Sequence, residues 1–187
     1  MSVPVNYGPM TEIQMYQPEI DEVVARICEM PDDGLMVEWG SGGSTIKWLE
    51  TMQGNQKLIT IEHNPDWHMR VRGYLNTRSD LKQRANYIFK GELYGYQHGY
   101  ASVLEEHPHG LDDYLLPTPE IANADIFFID GIGRAACSFL VKFISTKADP
   151  VIYIHDYYGR EQWYTWATQF FPKKERVGNA TLVRLWK

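Results

Sequence analysis

The sequence predicts a doubly wound α/β fold, in which helices cover both faces of a mostly parallel sheet. Short apolar runs alternate with helix-patterned segments, a glycine-rich turn follows the first run, and two strand-like segments close the chain around a Gly-Asn turn. Alternating strands and helices favour parallel pairing with right-handed crossovers, whereas two strands joined by a short turn pair antiparallel. We therefore expect a single Rossmann-like domain over residues 1–187 that ends in an antiparallel strand pair.

The predicted strands are short runs of apolar and β-branched residues that end at turn residues. In chain order they are Leu35–Val37, Lys57–Ile61, Ala85–Phe89, Asp125–Ile129, Val151–Ile154, Glu175–Gly178 and Thr181–Trp186. The predicted helices carry apolar residues every three or four positions. They cover Ile20–Met30, Ile46–Met52, Trp67–Leu75, Arg134–Ile144 and Trp163–Phe170. Asn64 and Pro65 have the residue types of an N-cap and a first-turn proline for the third helix.

Two segments lie outside this alternation of strands and helices. Residues 1–34 precede the first strand, and we expect them to form an N-terminal helical cap. Residues 91–123 make a long connection that is rich in tyrosine and histidine. Long aromatic loops in compact domains are often functional, so this insertion either covers a substrate as a lid or packs as a helical elaboration.

The composition excludes several classes of protein. A length of 187 residues with 44% hydrophobic and 22% charged residues is typical of a one-domain globular protein. A net charge of −6 argues against general affinity for nucleic acid. No apolar run approaches the ~18 residues of a membrane span and no signal peptide is evident, so we expect a cytoplasmic protein. Cys28 and Cys137 lie in no metal-binding spacing, and we expect two reduced core thiols.

The stretch LMVEWGSGGSTIKWL, from Leu35 to Leu49, contains the glycine-rich turn. Gly40 and Gly42 fit the first two glycines of the dinucleotide fingerprint, but Thr45 occupies the position of the third. Glu38 lies at the mouth of the turn, where its carboxylate would oppose a pyrophosphate bound at the helix N-terminus. A carboxylate there suits a cationic ligand. S-adenosylmethionine is such a ligand, because it carries a sulfonium and an α-ammonium group and no phosphate.

A second acidic residue follows the next predicted strand. Glu62 stands 22 residues after Gly40, where a carboxylate can accept hydrogen bonds from ribose hydroxyls. Dehydrogenases share this feature. It therefore supports an adenosine-containing ligand without choosing between S-adenosylmethionine and a dinucleotide.

These motifs together resemble those of a known family. VEWGSGG followed by ITIEHN is similar to the first two motifs of class I S-adenosylmethionine-dependent methyltransferases. The resemblance extends through Ile129–Gly131 and the terminal strand pair. It implies that Glu38 lies near the methionine part of the cofactor, that Glu62 holds the ribose, and that Asp130 lies near the transferable methyl. The implied cofactor-binding residues are Glu38, Gly40, Ser41, Gly42, Gly43, Glu62, His63, Gly91, Glu92 and Asp130.

The segments after the fourth and fifth predicted strands bear on the methyl acceptor. Asp130-Gly131-Ile132-Gly133 departs from the Asn/Asp-Pro-Pro-Tyr/Phe motif of methyltransferases that act on amino groups of DNA bases. The segments IDGIGRAACSFL and VIYIHDYYGR instead resemble methyltransferase-like proteins that include the plant glucuronoxylan O-methyltransferase type. This resemblance implies a hydroxyl acceptor on a small molecule or a saccharide.

A hydroxyl acceptor must lose a proton, and His155 has an intrinsic pKa suited to a general base. Asp130 and Asp156 complete the predicted catalytic set, with Asp156 orienting His155 or holding the acceptor. Catechol-type O-methyltransferases hold a divalent ion with an Asp after strand four and an Asp-Asn pair after strand five. Here His155-Asp156 replaces that pair, so we expect no metal, and a divalent ion held by Asp130, His155 and Asp156 is the alternative.

Three other functions remain open. One is an NAD(P)-dependent oxidoreductase, which binding of a nicotinamide cofactor would favour. Another is a non-catalytic accessory protein that retains a cofactor fold, because fold does not fix function. The third is a different use of S-adenosylmethionine, such as cleavage rather than transfer. The sequence does not predict the oligomeric state.

Overall fold

The computed structural model describes residues 10–91 and 113–186. Seven strands in these residues form one sheet with the order β3-β2-β1-β4-β5-β7-β6. They are β1 Leu35–Trp39, β2 Lys57–Glu62, β3 Ala85–Phe89, β4 Ile126–Ile129, β5 Val151–Ile154, β6 Lys173–Arg176 and β7 Val183–Trp186. Neighbours among β1 to β5 pair parallel, whereas β7 pairs antiparallel with both β5 and β6. The predicted fold class is confirmed.

The five predicted helices are present, with the bounds of Arg134–Ile144 as predicted and the others shifted, and a short helix at Ser79–Lys82 was not predicted. They are α1 Gln17–Glu29, α2 Gly43–Thr51, α3 Pro65–Thr77, α4 Ser79–Lys82, α5 Arg134–Ile144 and α6 Glu161–Thr168, with a 3-10 turn at Pro119–Asn123. Asn64 caps α3, because its Oδ1 accepts hydrogen bonds from Asp66 N at 2.9 Å and Trp67 N at 3.4 Å. Gly178, predicted at a strand end, has φ +56° and belongs to the turn before β7. The sixth strand therefore lies earlier in the chain than expected.

The core has two layers, one on each face of the sheet. Side chains alternate along β4, so that Phe127 and Ile129 face one layer while Ile126 and Phe128 face the other. The first layer includes Cys137 and other buried residues of α5 and α6, and the second includes buried residues of α1, α2 and α3. The prediction of two core thiols is wrong for one cysteine: Cys137 is buried, but Cys28 is exposed on the solvent side of α1.

The order of the strands reverses its direction between β1 and β4, which are neighbours in the sheet. Loops that leave these two strands turn to opposite faces, which opens a crevice at the carboxyl ends of the strands. Residues 92–112 lie outside the described part of the chain, so the predicted lid remains a prediction, as does the division into a helical cap and a single domain. Within residues 10–91 and 113–186, no helix combines the length and the apolar composition that crossing a bilayer requires.

Candidate functional site

A cleft of about 410 Å³ opens at the carboxyl ends of β1, β2 and β4. This volume lies in the range of small-molecule sites. The lining residues come from segments 12–15, 40–44, 62–64 and 130–132, together with Trp67 and Arg134. The structure thus brings together seven residues that the sequence singled out as cofactor-binding: Gly40, Ser41, Gly42, Gly43, Glu62, His63 and Asp130.

The glycine turn, residues 40–43, is shaped by close contacts between its backbone and the backbone of neighbouring segments. Gly40 has φ +89°, and its N–H donates to the carbonyl of Ile61 at 2.8 Å. A Cβ at Gly40 would lie 2.6 Å from the nitrogen of Gly131, so only glycine lets the loops after β1 and β4 meet. A Cβ at Gly43 would collide with the carbonyl of Glu12. The N-terminal segment therefore passes directly over the start of α2.

Glu38 lies beneath this turn and is fully buried. Its carboxylate accepts hydrogen bonds from Ser44 Oγ at 2.8 Å, Thr45 Oγ1 at 2.7 Å, Trp48 Nε1 at 3.1 Å and Thr60 Oγ1 at 2.9 Å. Burial raises the pKa of Glu38 to about 7, although the hydroxyl donors oppose the rise. Glu38 is not among the residues that line the cleft. In the structure Glu38 braces the turn from below, and its predicted contact with the cofactor stays a prediction.

Glu62 lies at the end of β2 and lines the cleft. One carboxylate oxygen accepts hydrogen bonds from the N–H and hydroxyl of Ser41, both at 2.7 Å. The other accepts from the N–H groups of His63 at 2.8 Å and Asn64 at 2.7 Å. The Ser41 hydroxyl also contacts the hydroxyl of Tyr87 at 2.8 Å. These neutral donors fix an acceptor group at the position where the sequence predicts ribose binding.

Asp130 and His155 belong to a charged cluster after β4 and β5. His155 Nδ1 lies 2.9 Å from Asp130 Oδ1, and the guanidinium of Arg134 binds the same oxygen at 3.0 Å. His155 Nε2 lies 3.6 Å from Glu19 Oε2 and 3.9 Å from Asp156 Oδ1. Burial of the ring lowers the pKa of His155, but the contacts with Asp130 and Glu19 and the nearby carboxylate charges outweigh it and raise this pKa to about 10.

This charge state bears on the predicted general base. A ring with a pKa of about 10 is an imidazolium at neutral pH, and an imidazolium does not accept a proton. The role of His155 as a base therefore stays a prediction that the geometry does not favour. Asp130 lines the cleft and is about one third exposed, whereas His155 is buried behind it.

The same cluster contains the alternative metal site. Ligand atoms of Asp130, His155 and Asp156 lie within 4.8 Å of one another. Arg134 contacts both carboxylates, at 3.0 Å for Asp130 and 3.3 Å for Asp156. A divalent ion would have to displace a proton of His155 and compete with the guanidinium. The two carboxylates already have basic partners in His155 and Arg134, and Asp156 also lies 3.5 Å from Arg160.

Several residues of this region were not predicted from the sequence. Glu19 was not singled out because α1 was interpreted from the spacing of its apolar residues. A glutamate at the third helical position is nevertheless a capping-box signal. Segment 12–15 and Trp67 line the cleft without any motif of their own. Gly91 follows β3 outside the residues that line the cleft, and Glu92 lies outside the described residues.

Solved structures share this fold at low sequence identity. A methyltransferase-like protein from Silicibacter pomeroyi aligns with a TM-score of 0.72 at 19% identity, over 94% of this chain and 87% of its own. The O-methyltransferase TomG from Streptomyces achromogenes, in complex with SAM, gives 0.60 at 13% identity, over 95% and 82%. An RNA methyltransferase from Salinibacter ruber, in complex with S-adenosyl-L-homocysteine, gives 0.51 at 14% identity, over 93% of each chain.

No family model matches the sequence, and no curated protein matches it either. At the identities found for the solved structures, the likeness concerns the fold. The chain shares its fold with solved methyltransferases, including one that acts on RNA by its description.

Proposed function

We propose that this protein is a class I methyltransferase that uses S-adenosylmethionine. The observation that carries the proposal is the charge of the cleft at the β1–β4 reversal. Its lining residues include the acidic residues Glu12, Glu62 and Asp130, and Arg134, which also lines it, already contacts Asp130. Such a cleft attracts a cationic ligand and repels a pyrophosphate, which disfavours the oxidoreductase alternative.

The lining residues fit the parts of this cofactor. Glu62 supplies a carboxylate for the ribose hydroxyls, and the turn from Gly40 to Gly43 lets a ligand approach the backbone closely. Asp130 supplies negative charge near the sulfonium. S-adenosylmethionine supplies, when bound, an electrophilic methyl group, so the protein's part is to position the acceptor, exclude water and receive a proton. The fold shared with structures solved in complex with SAM or S-adenosyl-L-homocysteine supports this assignment.

For the acceptor, we propose a hydroxyl group on a small molecule or a saccharide. Among the residues of the predicted catalytic set, Asp130 lines the cleft. We therefore assign Asp130 the role of receiving the proton that the acceptor hydroxyl loses. His155 and Asp156 then act through Asp130. Similarity to the O-methyltransferase TomG supports a hydroxyl acceptor. Because an RNA methyltransferase has the same fold, the exclusion of nucleic acid that the net charge suggested is not supported.

Calorimetric titration with S-adenosylmethionine, S-adenosylhomocysteine and NAD tests the cofactor assignment. We expect both adenosyl ligands to bind and NAD not to bind. Glu62→Gln should weaken adenosyl binding roughly 30-fold, because a ribose contact worth about 2 kcal/mol is lost. Glu50→Gln is the matched control, since Glu50 pairs with Arg78 at the surface and does not line the cleft.

Each result of this titration has a direct consequence. Binding of NAD in place of the adenosyl ligands would revive the oxidoreductase, and binding of none of the three would refute the proposal. Binding without methyl transfer to any hydroxyl or RNA acceptor would favour the accessory-protein alternative. An equal loss of affinity in Glu62→Gln and Glu50→Gln would show that Glu62 does not bind the ribose hydroxyls.

A further inference from the structure

Glu19 is a fully buried carboxylate that ties α1 to the C-terminal hairpin. Its Oε1 accepts hydrogen bonds from Thr181 N at 2.8 Å, Thr181 Oγ1 at 2.9 Å and Leu182 N at 2.7 Å. Its Oε2 accepts from Tyr16 N at 2.9 Å, which closes the first turn of α1. Four donors from two distant parts of the chain thus fix the position of this side chain.

The same side chain faces the charged cluster of the cleft. Glu19 Oε2 lies 3.6 Å from His155 Nε2, while Nδ1 on the other side of the ring bonds Asp130 at 2.9 Å. Asp156 Oδ1 lies 3.9 Å from the same Nε2, and Arg134 contacts the same oxygen of Asp130 as His155 does. His155 therefore connects the buried Glu19 to the carboxylate that lines the cleft. A buried charge is tolerated when it is paired in this way.

Glu19 also lies next to the opposite wall of the cleft. Its hydrogen bond to Tyr16 N fixes the residue that directly follows segment 12–15, and this segment lines the cleft. The carbonyl of Glu12 lies over Gly43, at the start of α2. One carboxylate is thus linked at one end to the N-terminal wall and, through His155, to the wall that carries Asp130.

We propose that Glu19 is a positioning residue of the methyl-transfer site, which sets the distance between segment 12–15 and Asp130. The proposal rests on the proposed function, since it assigns Glu19 a part in binding the cofactor of that site. It assigns His155 the role of a connector that lies between Glu19 and Asp130 and orients Asp130, distinct from the role of a base. Glu19 itself touches neither the cleft nor the reacting groups, so its influence is indirect.

Glu19→Gln tests the proposal against Glu22→Gln on the same helix. Glu22 contacts Tyr153 and Arg184, so its variant removes the same charge from α1 without touching His155. We expect Glu19→Gln to weaken S-adenosylhomocysteine binding roughly 5-fold or more, the size of effect that is typical of energetic coupling between separate sites. The KM for S-adenosylmethionine should rise as well. Glu22→Gln should leave both unchanged. Equal effects of the two variants, or no effect of Glu19→Gln, would overturn the proposal.

NMR spectroscopy of protein labelled with 15N in histidine provides a readout that a merely structural role would not move. In the wild type, we expect His155 to carry protons on both ring nitrogens at pH 7, and Glu19→Gln to lower its pKa by about 1. His155→Gln identifies the signal among the 6 histidines. If Glu19→Gln does not fold, Glu19→Asp, which keeps the charge but shortens the side chain, is compared instead. Ring signals of His155 that match those of the wild type in the variant would overturn the proposal.

The two proposals fail in distinguishable ways. If the wild type binds neither adenosyl ligand, the proposed function fails and the role of Glu19 falls with it. If the wild type binds them and Glu19→Gln binds them equally well, the proposed function stands and only the positioning role is refuted.

Discussion

The two sides of the cleft hold their carboxylates in different ways. On the β1–β2 side, Glu38 and Glu62 accept hydrogen bonds from hydroxyl groups, an indole and backbone N–H groups. On the β4–β5 side, Asp130 and Asp156 face the cations His155 and Arg134. Neutral donors keep their geometry as the ionic conditions change, whereas ion pairs respond to pH and salt.

This difference matches the two tasks that we propose for the cleft. A cofactor is bound in the same form in every turnover, so a rigid network of neutral donors suits it. On the acceptor side, charge develops during the reaction and a proton is transferred. The electrostatic interactions of charged groups with the reacting atoms change as that charge develops. We therefore predict that substitutions of residues that contact the cofactor on the first side mainly change ligand binding, while substitution of Asp130 on the second side mainly changes the rate.

The largest expected effect comes from the point where the two sides touch. Gly40→Ala places a Cβ 2.6 Å from the nitrogen of Gly131 at a φ of +89°, so we expect a loss of about 3 kcal/mol or more in the free energy of unfolding, together with loss of ligand binding. Denaturant unfolding measures the stability. Gly73→Ala is the control, because nothing lies within 4 Å of a Cβ in that helix position and a gain of about 0.5–1 kcal/mol is expected. Equal stability of the two variants would contradict the close approach.

Asp130→Asn probes the charged side without removing the shape of the residue. We expect kcat to fall roughly 100-fold, in the range of lost proton transfer, while the Kd for S-adenosylhomocysteine changes much less. Steady-state kinetics with an identified acceptor and calorimetry separate the two effects. A fall in affinity with kcat unchanged would reverse the division of tasks between the two sides.

The pH dependence of stability should reveal the charge of His155. Its pKa is raised from 6.5 to about 10 in the folded state, so its stabilising contribution is complete below pH 6.5 and is lost as the pH rises through 10. We expect the wild type to lose about 2 kcal/mol in this window, and His155→Gln to lose much less. Urea unfolding at a series of pH values measures this, and parallel curves for the two proteins would show that His155 is not a buried cation.

Glu38 should give a smaller effect in a different window. Burial raises the pKa of Glu38 from 4.5 to about 7, so protonation of this side chain stabilises the folded protein. This contribution is lost as the pH rises from 4.5 through 7. Glu38→Gln keeps the shape and lets the hydroxyls of Thr45 and Thr60 turn, so we expect it to fold and to flatten this dependence by about 1 kcal/mol. The same urea series checks the expectation, and an unchanged slope would argue against a protonated Glu38.

The sequence predicted the parts of the fold that local patterns determine. The bounds of α5, β3 and β5 agree with the structure, because apolar periodicity, caps and turn residues act within a few positions of one another. The placement of Glu62 at a strand end followed in the same way. The strand order was predicted only as a class, since pairing depends on contacts between distant segments.

The parts that were missed depend on pairing across the chain. Glu38 faces α2 because β1 pairs with β2 in a register that sets it opposite Thr60, and no local pattern reveals this register. Glu19 meets His155 from the other end of the sequence, so the contact appears only when α1 lies against the hairpin. The raised pKa of His155 follows from that contact and from Asp130, and no local pattern around His155 indicates it.

A crystal structure with S-adenosylhomocysteine tests the central claim, that the cleft is an adenosyl site with a neutral and a charged side, most directly. We predict that the ligand lies in the cleft between the glycine turn and Asp130, with its ribose hydroxyls on Glu62 and its sulfur on the side of Asp130. A ligand bound elsewhere, or one whose ribose leaves Glu62 bonded only to Ser41, His63 and Asn64, would contradict this claim.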